Sequence, residues 1–539
     1  MSGGLVMFPK ATKWIAALAT VAAVALQPLP ANAEQPTVRL EVKANQAGPK
    51  IGHDIFGQFA EHLGSGVYGG IWVGSDSPIP NVRGIRSDVV AALRAIRVPN
   101  VRWPGGCFGD NYHWRNGIGP HAQRPATLNP DWGGVIEPNA FGTHEYFDFL
   151  GQIGADAFIS ENVGSGTVQE AADWFEYMTS DKPTTLAKQR AANGHPAPYA
   201  VKFLGLGNEN WGCGGAMSPD HYVEEMKRFA RYTRNYNPAQ QSPGTAMKRI
   251  AVGWDSGNDD YTDALMKAWK AKNWAWDIEG VSLHAYTIPN SWEKKGPSVG
   301  FGEDEYAKAI RATLNMKQLI AKQSAIMDKY DPDKKVGLYV DEWGIWTDPT
   351  PGTNPGFLQQ QNTLRDAVIA ALNLDIFMRN ADRVRGANIA QMVNVLQAMI
   401  LTDGSRMLLT PTYHVFEMYT VHHEAVLLPL RLSSGAWYAL GADSIHAVSA
   451  SASRDARGVV HVTMSNLDPV RSQTAVIDLG GVRASSVAGR LLTGPTMNSY
   501  NTFEHADVVK PAAFTGARIT NGQLMTVLPP HSVIVLELR

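Results

Sequence analysis

The sequence predicts a (β/α)₈ barrel of the TIM type followed by an antiparallel β-sandwich, and three observations carry that prediction. Short apolar runs alternate with longer amphipathic ones from about residue 52 to 425, the order of a parallel β/α fold. The apolar runs number eight. After about residue 425 the helical period disappears and strand-like alternation replaces it.

The eight predicted strands are Ile55 to Phe59, Asn100 to Trp103, Ala157 to Ser160, Lys202 to Leu206, Arg249 to Trp254, Val281 to His284, Gly337 to Val340 and Ala387 to Val393. Helical stretches separate them. One spans 86 to 96, where Val89, Val90, Leu93 and Ile96 recur at helical spacing; another spans 219 to 232, with Ser218 as N-cap and Pro219 at its first position. Eight strands with helices between them make a barrel slightly over the typical ~250 residues once loops are counted. A doubly wound open sheet is the alternative, disfavoured because no glycine-rich phosphate turn follows the first strand.

Beyond the barrel, Val459 to Met464, Thr474 to Leu479 and Ser532 to Leu538 have strand composition, and Ser532, Ile534, Leu536 and Leu538 share one face. Glycine and proline clusters separate these runs, as in a sandwich without helices of its own. Pro36 to Lys43 also alternates and is expected to add a strand to it. The expected division is a leader at 1–33, the N-terminal strand region at 34–50, the barrel at 51–425 and the sandwich at 426–539. No run of aromatics marks a sugar-binding face on the sandwich, so a structural role is expected.

Composition narrows the class. The chain has 539 residues, 44% of them hydrophobic, enough to bury a large core in more than one domain. Lys10 and Lys13 precede the apolar run from Trp14 to Leu26 and the small-x-small site Ala31-Asn32-Ala33, the signature of a secretory leader. A membrane anchor is the alternative, but the run is shorter than the ~20 residues a spanning helix needs. A secreted or periplasmic protein is therefore expected, with no membrane contact after cleavage. Loss of that segment and its two lysines takes the net charge from −2 to −4, which suggests neither nucleic acid nor an anionic membrane as partner. Only Cys107 and Cys213 are present, so a disulfide scaffold is excluded. No zinc-spaced Cys/His cluster, HExxH, EF-hand loop or Walker A sequence occurs, and neither metal nor cofactor is expected.

Two glutamates stand where an apolar run meets a glycine-punctuated turn: Glu209 in Leu206-Gly207-Asn208-Glu209-Asn210-Trp211 and Glu342 in Val340-Asp341-Glu342-Trp343-Gly344. Catalytic groups of a barrel lie at the C-terminal ends of its strands, so the fourth and seventh strands would present these carboxylates at one rim. Two carboxylates are the minimum equipment for cleaving a glycosidic bond. Asn208 is placed to bind a sugar hydroxyl, with a turn-forming asparagine as the plainer reading. Trp103, Trp211, Trp343 and Trp346 are candidate sugar platforms or, equally, packing residues. The Pro/Gly-rich stretch from Thr347 to Phe357 reads as a loop on the leaving-group side.

Arg102-Trp103-Pro104-Gly105-Gly106-Cys107-Phe108-Gly109-Asp110, Gly207-Asn208-Glu209-Asn210-Trp211-Gly212-Cys213-Gly214-Gly215, Asp341-Glu342-Trp343-Gly344 and Ala390-Gln391-Met392-Val393-Asn394-Val395-Leu396 together resemble the α-L-arabinofuranosidases of glycoside hydrolase family 51. Phe59-Ala60-Glu61-His62-Leu63-Gly64 and Leu409-Thr410-Pro411-Thr412-Tyr413-His414-Val415-Phe416 extend the likeness, in collinear order over nearly all of residues 50 to 425.

The resemblance implies a retaining exo-enzyme that releases terminal α-L-arabinofuranosyl residues from arabinan, arabinoxylan or their oligosaccharides. Glu342 would be the nucleophile and Glu209 the acid and then the base, protonated at rest under the influence of Glu342 and partial burial. Glu61, Arg102, Asn208, Tyr286 and Gln391 match positions that line the sugar subsite. Arg102 and Tyr286 are placed to bond the nucleophile, Glu61 to accept from sugar hydroxyls, Gln391 to reach Glu342 or the sugar, and His284 to orient its neighbours. Ala285 stands where many relatives carry an aromatic, and Cys107 where they carry Asn. Both cysteines fall in these motifs and are candidates to pair across the rim, a geometry sequence does not supply. A homo-oligomer, often a hexamer, is the family expectation. Another barrel glycosidase, such as an endoglucanase or β-xylosidase, and a non-catalytic carbohydrate-binding barrel are the alternatives.

Overall fold

In the computed structural model, which describes residues 37–253, 259–441 and 443–539, eight parallel strands close on themselves. They are β1 (Gly57–Phe59), β2 (Asn100–Trp103), β3 (Asp156–Ser160), β4 (Phe203–Leu206), β5 (Lys248–Ala251), β6 (Gly280–Thr287), β7 (Gly337–Ile345) and β8 (Val384–Ile389). Parallel pairing runs all round the ring, from Gln58↔Val101 through Arg102↔Phe158 and Ile159↔Leu204 to Ile389↔Gln58, with register shifts on both sides of β7. Helices lie between the strands. The helix Pro219–Tyr232 begins as expected, with the Ser218 side chain accepting from the His221 N–H.

The barrel interior explains where the site sits. Phe158, Phe203, Ile250 and Tyr339 form a buried apolar plug inside it. Gly280 and Gly386 make room for the Tyr339 ring, since a Cβ at either would meet it at 2.5 Å. Arg102 lies on this plug, its guanidinium 4.7 Å from the Phe59 ring centre and 6.0 Å from that of Phe158. Polar chemistry therefore starts one layer above the plug, at the C-terminal rim.

Several strand limits differ from expectation, each for a physical reason. β6 and β7 run on to Thr287 and Ile345, because the charged residues that seemed to end them are buried and paired with one another. Glu342 thus lies within β7 rather than at its end, and Glu209 lies three residues beyond β4. β8 stops at Ile389; the apolar run beyond it reflects burial, since Ala390, Gln391 and Met392 send their N–H groups to Trp343, Val395 and Phe59 instead of a ladder. Ile55 and Phe56 belong to a 3₁₀ turn, His53–Phe56, before β1. The leader at 1–33 and the end of the fifth expected strand at Trp254 lie outside the described residues.

The C-terminal region holds two larger sheets and a two-stranded one, Trp437–Leu440 with Asp443–His446. In chain-neighbour order the first is Leu430–Ser434, Thr37–Val42, Gln473–Asp478, Gln523–Leu528 and Ala517–Thr520; the second is Val426–Leu428, Val448–Arg454, Val460–Asn466, Ser532–Leu538, Val487–Leu492 and Ala512–Phe514. Pairing is antiparallel except between Thr37–Val42 and Gln473–Asp478, which run parallel. The helix Leu364–Arg379, between β7 and β8, also packs on the second sheet, and its residues 364 to 378 are all buried. A helix buried all round has no solvated stripe, so its polar groups need partners. Asp375 finds them in Ser449 Oγ at 2.8 Å, Thr463 Oγ1 at 3.2 Å and the Tyr419 hydroxyl at 3.3 Å. Among the described residues no helix is long and apolar enough to cross a membrane.

Candidate active site

Glu342 is 6% exposed and both of its oxygens are engaged. Arg102 Nη1 donates to Oε1 at 2.8 Å and the Tyr286 hydroxyl donates to Oε2 at 2.8 Å. Donors on both oxygens hold the plane of the carboxyl group. Burial first, and then the Glu342 charge, push the Tyr286 hydroxyl far above its ordinary pKa, so it remains a donor.

Glu209 reaches the same point from the opposite side. Its backbone adopts φ 42°, a left-handed conformation set in a tight turn whose Gly212 and Gly214 N–H groups donate to the Glu209 carbonyl at 2.7 and 3.1 Å. The Glu209 Oε1 lies 2.7 Å from His284 Nδ1, and that nitrogen is 3.5 Å from Glu342 Oε2. Oxygens of the two carboxylates and the imidazole nitrogen all lie within 4.8 Å of one another. Retaining glycosidases place their carboxyl groups ~5 to 5.5 Å apart, and a pair this close is compatible with that spacing.

His284 pairs in register with Glu342 across β6 and β7, where the ladder shifts by a bulge. Burial opposes a charged ring, yet Glu342, Asp341 and Glu209 outweigh it and hold the His284 pKa well above its usual value. Asp341 lies 3.4 Å from His284 Nε2 and 3.4 Å from Arg102 Nε, joining the cations that contact the two rim carboxylates. The expectation for Glu209 had counted Glu342 and burial, and not the charged His284 that the structure places against it.

Asn208 accepts from Arg102 Nη2 at 2.6 Å, which spends its carbonyl oxygen on the arginine and leaves its amide group for other partners. Its own N–H donates to Asp110 Oδ2 at 3.1 Å, while Asp110 Oδ1 accepts from Val163 and Gly164, so this carboxyl ties together the segments after β2, β3 and β4. Burial, against those N–H donors, pushes Asp110 up to about 8.

Glu61 follows β1. Its Oε1 accepts from the N–H groups of Gly106 and Phe108 and from Trp132 Nε1, at 2.9, 3.1 and 2.9 Å. Gln391 Nε2 donates to Oε2 at 3.0 Å, and Gln391 Oε1 accepts from the Glu61 N–H at 3.2 Å. Gln391 thus holds Glu61 rather than Glu342. Burial and the nearby Glu342 charge push Glu61 up to about 7.

Cys107 and Cys213 are joined by a disulfide with Cα atoms 5.5 Å apart, and Cys107 lines the cavity. This cavity, about 350 Å³, brings together Glu61, Cys107, Asn208, Glu209, Glu342 and Gln391. Tyr286 also lines it; Arg102 and His284 support it from below and beside. A wider groove of about 680 Å³ passes Asp403, Tyr500 and Phe503 but holds no carboxylate pair.

Of the tryptophans, Trp211 and Trp346 line the cavity, whereas Trp103 and Trp343 are fully buried and serve packing. Trp103 stacks on Tyr146 and donates to His62 Nε2; Trp343 packs on Phe377 and Phe416. Sequence reasoning missed Trp132, Trp292, Asp341 and Asp110. Trp132 lies between strands Thr127–Asn129 and Val135–Glu137, and Asp131-Trp132-Gly133-Gly134 is a readable turn signal. Asp341 and Asp110 were inside quoted motifs. Nothing local marks Trp292, which comes from the segment after β6.

Two sets of potential metal ligands occur among the described residues, Cys107–Glu209–Cys213 and Glu209–His284–Glu342. The cysteines are consumed by their disulfide, and a cation in the second set would compete with Arg102 for Glu342.

Comparison with known proteins gives consistent matches. A family model described as Alpha-L-arabinofuranosidase 1 domain matches residues 92–264, and Alpha-L-arabinofuranosidase C-terminal domain matches 341–532. The chain is 45% identical over 505 residues to a Bacteroides ovatus protein named intracellular exo-alpha-L-arabinofuranosidase, covering 94% of this chain and 96% of that one. It superposes on the crystal structure of the GH51 arabinofuranosidase from Xanthomonas axonopodis pv. citri with TM-score 0.90 and 48% identity, over 93% of this chain and 100% of that one. The arabinose complex of the Thermotoga maritima α-L-arabinofuranosidase aligns with TM-score 0.80 and 30% identity, over 93% and 99%.

Proposed function

Because the chain belongs to the α-L-arabinofuranosidases of glycoside hydrolase family 51, we propose that its two rim carboxylates act by retention, Glu342 as nucleophile and Glu209 as acid and then base. The activity is that of an exo-acting α-L-arabinofuranosidase on arabinan- and arabinoxylan-type substrates. The observation that carries the assignment of roles is that Arg102 and Tyr286 hold both oxygens of Glu342, as a fixed nucleophile requires, while Glu209 lines the same cavity on the other side.

The steps follow from these contacts. A Glu342 oxygen attacks the anomeric carbon as the bond to the leaving oxygen breaks, and Glu209 passes its proton to that oxygen. Water then enters where the leaving group stood; Glu209 takes its proton and the ester to Glu342 is cleaved, so configuration is restored. Arg102 and Tyr286 hold the Glu342 carboxylate, whose negative charge is neutralised as the ester forms and returns when the ester is cleaved. Glu61, held by Gln391, Trp132 and two backbone N–H groups, offers its remaining acceptor capacity to sugar hydroxyls. A cavity of about 350 Å³ accommodates a single terminal sugar ring, in keeping with exo action.

Proton NMR of early hydrolysis tests the mechanism: α-L-arabinose appears first under retention, and β-L-arabinose as the first product would overturn it. Replacing Glu342 by Ala is expected to remove turnover. Replacing Glu209 by Ala should spare the first step for aryl substrates with good leaving groups and, with azide present, yield the α-configured azide.

A secreted or periplasmic location is part of the same proposal. The leader-like segment and the Cys107–Cys213 disulfide support it, since disulfides persist mainly in oxidising compartments. Cell fractionation with N-terminal sequencing decides it; full-length protein in the cytoplasm would reject it. A homo-oligomer is proposed on family resemblance, and a monomeric mass by light scattering would reject that.

A further inference from the structure

We propose that the Cys107–Cys213 disulfide is a positioning device for the acid/base, fastening the loop that carries Glu209 to the wall that carries the nucleophile side of the sugar pocket. The proposal rests on the roles assigned above to Glu209 and Glu342. It starts from contacts: Cys213 Sγ lies 3.7 Å from Glu209 Oε2 and 3.8 Å from Asn208 Nδ2. As a disulfide sulfur it donates no proton, so it presents a fixed, weakly polar flank to the carboxyl group.

The two ends of the bridge differ in stiffness. Cys107 lies between Gly106 and Phe108, whose N–H groups both hold Glu61 Oε1. Gly106 also sits against the nucleophile, since a Cβ there would lie 2.9 Å from Glu342 Oε1. This end is an anchor. Cys213 lies in Trp211-Gly212-Cys213-Gly214-Gly215, where three glycines in five residues give the backbone wide freedom. The bridge therefore ties the more permissive loop to the better-held one, across 106 residues of sequence. Asn208, before Glu209, is held from the β2 side by Asp110 and Arg102; past Glu209, Asn210 Nδ2 donates to the Gly214 carbonyl and Trp211 Nε1 to that of Gly253. These last two do not reach the β2 side, so at Cys213 the bridge adds a tie to it.

Cys213 is exposed, so a soluble dithiol can reach the bridge. Dithiothreitol supplies two electrons and two protons, the S–S bond gives two thiols, and the reagent leaves as its cyclic disulfide. Opening the bridge loosens the Glu209 loop on its Cys213 side while leaving Arg102, Tyr286 and Glu342 in place. Proton donation should then weaken more than nucleophilic attack.

The experiment compares oxidised, reduced and reoxidised enzyme on dinitrophenyl, nitrophenyl and methyl α-L-arabinofuranosides, with thiols counted and circular dichroism recorded. Reduction is expected to lower kcat/KM for the methyl glycoside by roughly tenfold or more, within the range that general-acid catalysis contributes, and to leave the dinitrophenyl substrate within about twofold. Reoxidation restores the loss. A Cys107→Ala/Cys213→Ala variant should repeat the reduced pattern, and if it does not fold, the reduced wild-type enzyme decides alone. An equal loss on all substrates, or no loss with two free thiols, overturns the proposal. Oxidised enzyme inert on every arabinofuranoside would instead overturn the catalytic reading on which it rests.

Discussion

His284 Nδ1 stands 2.7 Å from Glu209 Oε1, so the group assigned as proton donor shares its contact with an imidazole that three carboxylates keep in its charged form. Substituting His284→Gln keeps polar groups but removes a positive charge from beside the donor. A cation next to an acid eases loss of its proton. The basic limb of the kcat/KM profile should therefore move to higher pH, with kcat falling roughly tenfold or more on substrates that need protonation. An unchanged profile in the variant would remove His284 from proton handling.

Tyr286 offers a cleaner deletion. Its hydroxyl gives a 2.8 Å hydrogen bond to Glu342 Oε2 while the ring packs edge-on against Trp346. Tyr286→Phe keeps the ring and loses one bond to a charged group, worth about 1.5 to 3 kcal/mol. At about 1.4 kcal/mol per tenfold, kcat should fall by roughly 10- to 100-fold with little change in melting temperature. Steady-state kinetics and thermal unfolding together check this.

Glu61 predicts a pH dependence of binding. Burial and then Glu342 push it up to about 7, so lowering the pH through that value protonates it and removes an acceptor for sugar hydroxyls. KM should rise as pH falls below about 7. Glu61→Gln should have a KM raised at every pH, by about tenfold, and should lack this rise, since an amide does not titrate in the range. A wild-type KM that is flat from neutral to mildly acidic pH would contradict the assignment.

Acid stability has its own reporter in His422, fully buried with Nδ1 2.7 Å from Ser453 Oγ. Burial, with His461 and His423 nearby, depresses its pKa from 6.5 to about 3. The unfolded chain takes up a proton below pH 6.5 and the folded one does not, so the neutral ring's contribution is complete above 6.5 and lost as pH falls toward 3. The cost approaches about 1.4 kcal/mol per pH unit. His422→Gln should be less stable than wild type at neutral pH, and urea unfolding should show the gap closing at about that rate between pH 6 and 4.

Much of the fold was legible because its signal is local. Asn100 to Trp103, Pro219 to Tyr232 and Ser532 to Leu538 were recognised to the residue, since apolar period, an N-cap with a following proline, and alternation depend on neighbours in the chain. β6, β7 and β8 were misjudged at their ends because hydrophobicity was taken for pairing. In β7 the charges of Asp341 and Glu342 are tolerated inside the strand because Arg102, 240 residues away from Glu342, meets them there.

The sequence by itself determined the barrel, the two rim carboxylates and the motif set around them, because strand period, turn chemistry and residue type are properties of short segments. Tertiary structure alone decided which of those residues touch. It turned Gln391 toward Glu61, set His284 between the two rim glutamates, buried Trp103 and Trp343 while bringing Trp132 and Trp292 to the pocket, and closed the Cys107–Cys213 bridge. Such pairings depend on ångström-scale distances between strands far apart in the chain. No local pattern encodes those distances; the closing of the barrel does.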